Sequence, residues 1–460
     1  MSKRQVIPVW QDWRMLVIGL GTLAVPLDSA VNVAFPEITR EFGLSIPQIQ
    51  WIVIVYMLAQ TSLLMVFGRL GDMLGHRLVF LAGSAWSVIA FIACATAPSY
   101  GWLLAGRIAQ GVAAGLLLSC GAALAISLQP EAMRARVLGL YTMLYSLGFV
   151  LGPATAGLLV ARFGWPSVFW FRAPIALLAF AASWALPAPP RPRAGERFDA
   201  TGAALLVLGI SMAVLAIDRL QHLADGVVWP MAAACVALAA FLAFAQQERR
   251  APQPIIELRF FAVPGFARLN LAAALVNFAC FAVLLLLPFH LAHTAGLGAP
   301  VVGAMLACSA IGMVIASPLA GALASRAGPR ARARIGCVAM AAGLAVMAAA
   351  PPLAVLVPAL LVQGFGQGLF QVTFLDIVTD TLPASARGVA SSLGMLTRTL
   401  GVVTGASLLT LAFQSFLATG ADVSASSAFL LAFQQVFAIA AAIPAISAVV
   451  LIGRAPRYSA

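Results

Sequence analysis

The sequence is a succession of apolar segments, each about twenty residues long and separated by short polar stretches. A helix of about twenty apolar residues covers the hydrocarbon thickness of a bilayer. Only 9% of the residues are charged, whereas a soluble domain needs roughly a quarter to keep a hydrated surface. We therefore predict an all-α membrane protein with fourteen spans, at about 14–35, 48–68, 78–97, 101–128, 137–160, 166–187, 200–217, 228–246, 265–289, 299–323, 335–350, 354–378, 388–412 and 429–452.

The positive charges predict how these spans are oriented. With the N-terminus inside, loops on the cytoplasmic side hold 21 of the 27 Lys and Arg residues, and external loops hold only Arg40, Arg162 and Arg219. Lys and Arg concentrate in cytoplasmic loops of membrane proteins, so both termini are predicted to lie inside. The arginines are spread over short loops rather than along one face, which argues against a nucleic-acid partner for this net charge of +12.

An internal repeat is visible at an offset of 253 residues. Gly68–Arg77 falls on Gly321–Arg330, Gln110-Gly111 falls on Gln363-Gly364, and the glycine pair Gly148 and Gly152 falls on Gly401 and Gly405. Many transporters are built from duplicated halves. The repeat pairs spans 1–6 with spans 9–14, so the predicted domains are an N-terminal six-helix bundle (1–187), a two-helix insertion with flanking cytoplasmic linkers (188–264), and a C-terminal six-helix bundle (265–460).

Four motifs resemble those of the major facilitator superfamily and, within it, of the fourteen-span drug:proton antiporters. The likeness covers nearly the whole chain, including the extra helical pair. The motifs are Leu27-Asp28-Ser-Ala-Val-Asn32-Val-Ala-Phe-Pro36, Gly68-x-x-x-Asp72-x-x-Gly75-x-Arg77, Arg107-x-x-Gln110-Gly111 and Gly148-x-x-x-Gly152-Pro153-x-x-x-Gly157.

This resemblance implies the major-facilitator fold and a proton-coupled antiporter that exports lipophilic small molecules or drugs by alternating access. It implies a multi-pass protein of the bacterial inner (cytoplasmic) membrane that works as a monomer. Its partners would be the small-molecule substrate, protons and the lipid bilayer, and its energy source the proton gradient, with no cofactor. The alternatives are a dedicated exporter of one metabolite or natural product, and an intramembrane enzyme or a sensor. We expect no enzyme activity, because the four histidines are scattered. An ATP-driven pump is excluded, because the only lysine is Lys3 and a phosphate loop needs GK[ST].

Asp28 is an acidic residue in the middle of the first predicted span. A charged side chain at that depth costs roughly 2.5–3.5 kcal/mol on insertion scales, so its presence indicates a function. Burial favours the neutral acid and a nearby guanidinium favours the carboxylate, so a changing environment can load and release a proton. Arg107 is the expected partner, because both residues lie roughly 9–12 Å below the external edge. The alternatives are an acid kept only for a structural ion pair, and an Arg107 that bonds neighbours in its own helix.

Polar side chains from several spans are expected to line the substrate cavity. The family usually has asparagine where Arg172 stands, and two buried arginines would tolerate anionic or neutral compounds. Alternatively, Arg172 forms an ion pair within the bundle. Asp376 is expected to be either a second titratable site or a solvated carboxylate. Asp380 is expected in the loop that follows. The predicted cavity residues are Asn32, Tyr56, Gln60, Arg172, Asn277, Gln363, Asp376 and Arg398.

The segment between spans 2 and 3 resembles the gating motif of the family, in Gly68, Asp72, Gly75 and Arg77. Glycines let such a turn pack closely on a neighbouring helix, and Asp72 is expected to meet a helix N-terminus or an arginine. His76 stands where the family prefers a basic residue, so its charge depends on pH. A purely structural turn is the alternative.

The fifth span resembles the antiporter motif of the family, in Gly148, Gly152, Pro153 and Gly157. Small residues at this spacing permit close contact between helices, and a proline bends the span. The functional interpretation is a tight helix contact that prevents leakage. Ordinary helix packing is the alternative.

Metal binding and disulfide bonding are not expected. His290 and His293 form an HxxH pair with no third ligand nearby in the sequence, which favours an interfacial pair. The six cysteines are isolated within apolar stretches and are interpreted as buried small hydrophobic residues.

Overall fold

The structure, a computed structural model, describes residues 13–129, 133–187, 199–219, 227–250, 265–324, 327–381, 387–419 and 424–452. Every regular element in these ranges is helical, which confirms the all-α prediction. A 3₁₀ turn covers Pro26–Ser29 and a π-turn covers His290–Thr294. The helices are α1 (Trp13–Leu23), α2 (Ala30–Val33), α3 (Phe35–Phe42), α4 (Ile46–Ile49), α5 (Trp51–Leu74), α6 (His76–Ala95), α7 (Tyr100–Ser127), α8 (Arg134–Phe163), α9 (Ser167–Trp170), α10 (Arg172–Ser183), α11 (Ala200–Arg219), α12 (Val228–Arg250), α13 (Phe266–Phe289), α14 (Ala299–Ala324), α15 (Pro329–Ala348), α16 (Leu353–Thr381), α17 (Arg387–Thr419) and α18 (Ala425–Val450).

Thirteen helical segments within the described ranges are long and apolar enough to cross a membrane. The predicted sixth span, 166–187, corresponds to a shorter apolar segment, Ser167–Ser183, in which α9 and α10 meet at Phe171. Large apolar side chains cover the outside of the helices, with Phe163 70% and Trp229 77% exposed. An exterior of this kind suits lipid rather than water, so the chain is a multi-pass integral membrane protein.

Capping residues define several of the helix ends. Ser99 accepts a hydrogen bond at its Oγ from the Trp102 backbone N–H, at 3.3 Å, and so begins α7. Helix α8 ends at Phe163 because Gly164 follows with φ of +74°, a conformation that costs little only for glycine. Helix α16 continues to Thr381, so position 380, expected in a loop, lies in the last helical turn.

The described residues divide into two compact units. One comprises the described parts of Met1–Val31 and Val55–Phe198, and the other those of Asn32–Ile54 and Asp199–Ala460. In the first unit, α1, α6 and α7 share a core around Phe80 and Leu117. In the second unit, α13 is buried on nearly all sides and packs against α17 and α18, while α3 and α4 contact α13 and α17, respectively. Most of both predicted linkers lies outside the described residues.

The 253-residue repeat is also visible as equivalent helix contacts. A Cβ on Gly111 would lie 2.5 Å from the Tyr56 carbonyl oxygen, and a Cβ on Gly364 would collide with the carbonyl oxygen of Ser309. Position 309 lies 253 residues after position 56, as 364 does after 111. Both units therefore bring corresponding helices, α7 to α5 and α16 to α14, into backbone contact at the same glycine.

Candidate functional site

The site begins with a break in the first span. Pro26 has no backbone N–H to continue the helix begun by α1, and Pro26–Ser29 forms a 3₁₀ turn before the helix resumes. Asp28 lies in this turn, where its side chain is 14% exposed. The proline thus places an acidic side chain at an irregular point of the span, turned into the first unit.

Three side chains donate four hydrogen bonds to the Asp28 carboxylate. Arg107 donates through Nη1 to Oδ1 at 2.6 Å and through Nη2 to Oδ2 at 2.8 Å. Arg172 donates through Nη1 to Oδ1 at 2.8 Å, and Gln110 donates through Nε2 to the same oxygen at 2.7 Å. Three of these bonds end on Oδ1 and one on Oδ2, so Oδ1 is fully engaged while Oδ2 keeps an acceptor site.

Arg107 is held from several directions on α7. The guanidinium carbon lies 4.4 Å from the centroid of the Tyr56 ring, a favourable cation–π distance. Its Nη1 also donates to Gln110 Oε1 at 2.7 Å, one helical turn further along. The structure therefore brings together Asp28 and Arg107, the pair expected from equal depth. Their role in proton coupling stays a prediction.

Arg172 is the third charged member of this cluster. It is fully buried, its Nε donates to the Val168 carbonyl at 2.8 Å, and its guanidinium lies 4.7 Å from the Phe91 ring centroid and 5.2 Å from that of Phe169. Its Nη2 has no hydrogen-bond partner among the described residues. Arg172 therefore forms an ion pair with Asp28, which is one of the two interpretations that the sequence allowed. A role in the substrate cavity stays a prediction.

The cluster carries one carboxylate and two guanidinium groups, so it has an excess of one positive charge. A proton on the carboxylate removes the negative charge that holds both guanidinium groups in place. Displacing a guanidinium moves or rehydrates a cation held between helices. The arrangement can therefore link proton binding to a shift of α7 or α10.

The antiporter-motif glycines lie where α8 crosses this broken segment. A Cβ on Gly148 would lie 2.5 Å from Pro26 Cγ, and a Cβ on Gly152 would collide with Ser29 Oγ. Pro153 and Gly157 are also buried. Larger side chains at the first two positions would push α8 off the turn that carries Asp28, so these glycines support the geometry of the charged cluster.

The gating motif forms a tight turn that contacts the end of α10. Gly75 has φ of +98°, which explains glycine at that position. Arg77 donates from Nη2 to the Trp184 carbonyl at 2.6 Å, and His76 Nε2 lies 3.5 Å from Asp72 Oδ1. Gly68 lies one turn before Asp72 in α5. Helix α5 is thus joined by its turn to the end of α10.

The remaining predicted cavity residues lie at separate places. In the first unit, Gln60 is buried in α5. In the second unit, Asn32 is buried in α2, and Asn277 is buried in α13, where it donates to the Ala273 carbonyl at 2.8 Å. Gln363 is buried on α16. Arg398 is half-buried on α17. Their substrate contacts stay predictions.

Asp376 is ion-paired. Arg332 Nη2 lies 2.9 Å from Asp376 Oδ2, and Arg332 Nη1 donates to the Ala320 carbonyl at 3.1 Å. This arginine is buried while the Asp376 side chain is 44% exposed. The pair links α14, α15 and α16. The side chain of Asp380 is outside the described residues.

The two histidines of the HxxH pair stack on aromatic rings. The His290 ring lies 4.3 Å from the Phe433 ring and the His293 ring 5.9 Å from the Phe289 ring, measured between centroids. Their location at a membrane interface stays a prediction. Among the described residues there is no group of three or more His, Cys, Asp or Glu that could hold a metal ion. All six cysteines are free and most are buried, but Cys235 lies exposed on α12, contrary to expectation.

Sequence reasoning missed Gln110 and Arg332 as site residues and missed the contact between Arg172 and Asp28. Gln110 follows Arg107 by three residues, so a shared helix face could have been inferred. Arg332 gave no comparable signal, because it lies among several arginines at the start of α15.

The sequence profile of the Major Facilitator Superfamily matches residues 18–406 and 269–460, which together cover far more than half of the chain. The chain belongs to the major facilitator superfamily.

Relatives of this major facilitator protein include transporters and resistance proteins. The riboflavin transporter RibZ of Clostridioides difficile is 28% identical over 414 residues, covering 89% of each chain. The probable actinorhodin transporter of Streptomyces coelicolor is 31% identical over 444 residues, covering 91% of this chain and 75% of its own. The multidrug resistance protein Stp of Mycobacterium tuberculosis is 28% identical, covering 88% of this chain and 76% of its own.

Solved structures share the fold at low identity. A bacterial homolog of the human lysosomal transporter Spinster matches with a TM-score of 0.71 at 15% identity, over 98% of this chain and 99% of that one. The xylose transporter XylE from E. coli matches with a TM-score of 0.62 at 15% identity, over 95% and 96%. The major-facilitator fold of this transporter is thereby established.

Proposed function

We propose that this transporter is a proton-coupled antiporter that exports lipophilic small molecules by alternating access. The observation that carries the proposal is the largely buried Asp28 carboxylate, bound by Arg107, Arg172 and Gln110. A buried ionisable group within a membrane span is a functional site by default. Relatives named for multidrug resistance and for antibiotic export support small molecules as the cargo.

The proposal includes the topology of the antiporter branch. Ser167–Ser183 is counted as a span, which brings the thirteen long apolar helices to fourteen. An even number of spans and the concentration of arginine in alternate loops support a cytoplasmic position for both termini. The membrane is the inner membrane of a bacterium, since the relatives named above are bacterial.

Coupling arises from the carboxylate that both arginines share. In the ionised state Asp28 holds the guanidinium groups of α7 and α10 against the broken first span. Protonation removes the charge that attracts both guanidinium groups. The helices then separate into the alternative conformation, and deprotonation on the cytoplasmic side returns them. Small residues at Gly148 and Gly152 keep α8 close to the first span during this movement.

Everted membrane vesicles test this function. Energised vesicles with the wild-type protein should accumulate an exported dye, and a protonophore should abolish the accumulation. Asp28→Asn should remove the protonophore-sensitive part, while Glu41→Gln, which neutralises an exposed carboxylate, should not. Unchanged accumulation by correctly inserted Asp28→Asn would remove Asp28 from the mechanism.

A dedicated exporter of one natural product is the second candidate. It is supported by the relatives named as a probable actinorhodin transporter and as a tetracenomycin C resistance and export protein. A growth-inhibition panel in a strain without its main efflux pumps separates the two candidates. Protection against many unrelated compounds supports multidrug export, and protection against one compound supports the dedicated exporter.

A further inference from the structure

The second unit contains a polar network at the position that corresponds to the charged cluster. Gln363 is the repeat counterpart of Gln110, at an offset of 253 residues. By the same offset, Leu360 stands in place of Arg107 and Phe281 in place of Asp28. Both of these apolar residues are fully buried. The second unit therefore has the glutamine but lacks the charged residues that the glutamine contacts in the first unit.

Gln363 belongs instead to an uncharged hydrogen-bonded network on three helices. Ser309 Oγ of α14 donates to Gln363 Oε1 at 2.7 Å, and Gln363 Nε2 donates to Gln367 Oε1 at 3.3 Å. The Cys280 thiol of α13 donates to the same Gln367 oxygen at 3.3 Å.

Several other polar side chains in the spans of this unit bond within their own helix. Asn277, Thr373, Ser407 and Thr410 each donate to a backbone carbonyl four residues earlier. Asn270 does the same and also accepts a hydrogen bond from Thr397 of α17 at 3.1 Å. The network around Gln363 joins side chains of three helices and leaves one end open.

The open end of the network is a donor. The amide oxygens of Gln363 and Gln367 both accept hydrogen bonds within the network. The half-buried Gln367 has no described partner for its Nε2. Gln371 follows four residues later on the same face of α16 and is also half-buried. The groups available to a ligand here are therefore amides.

We propose that this face of α16, formed by Gln367 and Gln371, is a substrate-binding surface for molecules rich in carbonyl or phenolic oxygens. Donors select acceptors, and an unpaired N–H group offers no favourable partner to a permanent cation. The proposal rests on the proposed export function and specifies its substrate class as neutral or anionic acceptor-rich compounds.

Equilibrium dialysis of the purified protein in lipid nanodiscs tests the substrate class. Riboflavin and alizarin serve as acceptor-rich planar probes, and ethidium as a planar permanent cation. The wild-type protein should bind the two acceptor-rich probes more tightly than ethidium. Gln367→Leu should weaken them about fivefold, the effect of losing a hydrogen bond. Gln435→Leu, the same change at an exposed glutamine of α18, should have no effect.

Gln367→Glu keeps the shape but turns the terminal donor into an anionic acceptor. It should weaken riboflavin and alizarin binding and strengthen ethidium binding, a gain that a misfolded protein cannot produce. Tighter binding of ethidium by the wild-type protein, binding of neither acceptor-rich probe, or equal effects of Gln367→Leu and Gln435→Leu would each overturn the proposal. Dialysis needs no proton gradient, so the binding surface and the coupled export can fail separately.

Discussion

Neutralising Asp28 should destabilise the protein, and a second substitution should partly restore its stability. The wild-type cluster has a net charge of +1, since one carboxylate faces Arg107 and Arg172. In Asp28→Asn the two guanidinium groups lose their counter-ion, and the net charge rises to +2. Removing one partner of a buried ion pair costs about 3–5 kcal/mol, so this variant should unfold at a clearly lower temperature.

Adding Arg172→Gln to Asp28→Asn returns the net charge to +1. Two like charges 4 Å apart repel by about 4 kcal/mol at an effective dielectric constant of 20. The lost contacts of Arg172 with Phe91 and Val168 offset part of the relief. We expect a net recovery of about 2 kcal/mol, so the double variant should be more stable than the single one.

The unfolding temperatures of the detergent-solubilised variants can be compared by tryptophan fluorescence at one scan rate. The expected order of unfolding temperatures is wild type, then Asp28→Asn with Arg172→Gln, then Asp28→Asn alone. A double variant that unfolds at a lower temperature than Asp28→Asn alone would show that the two substitutions destabilise the protein independently. The three charges would then not form one electrostatic unit.

Three further substitutions test other parts of the structure. Gly152→Ala should destabilise the protein by about 1–3 kcal/mol, because its Cβ collides with the broken first span. Gly139→Ala on the same helix meets nothing within 4 Å and should not lower the unfolding temperature. Arg332→Glu should lower the unfolding temperature by placing like charges together, and adding Asp376→Arg should restore part of it, since the bond from Arg332 to the Ala320 carbonyl stays lost; no recovery at all would mean that the ion pair is incidental. Arg172→Asn should raise the ratio of monocationic dye uptake to uptake of a neutral compound in the same vesicles, and an unchanged ratio would place Arg172 outside the path of the substrate.

The spans could be predicted from the sequence because hydropathy and length decide them. Segments such as Tyr100–Ser127 are apolar throughout and have clear ends. The segment of α9 and α10 is less distinct, since its helix is interrupted at Phe171 and is shorter than the others. The repeat was also visible, because backbone contact requires glycine at Gly111 and Gly364, and this requirement preserves the residue in both halves.

The contacts within the site could be predicted only in part. Counting residues placed Asp28 and Arg107 at the same depth in the membrane. The rise per residue does not say which way a side chain points around the helix axis, so it cannot predict which side chains meet. The contact of Arg172 with Asp28 depends on that rotation and on the turn that Pro26 introduces. Arg332 and Asp376 meet across separate helices, so their pairing follows only from the packed structure.

The exchange of protons for substrate is the central claim, and it can be measured without an applied pH gradient. The protein would be reconstituted into liposomes that contain a pH-sensitive dye and a compound against which it protects cells. Antiport predicts that the outflow of this compound through protein molecules oriented in either direction acidifies the lumen, and that Asp28→Asn abolishes the acidification. A lumen that becomes alkaline, or an equal response from Asp28→Asn, would contradict the mechanism.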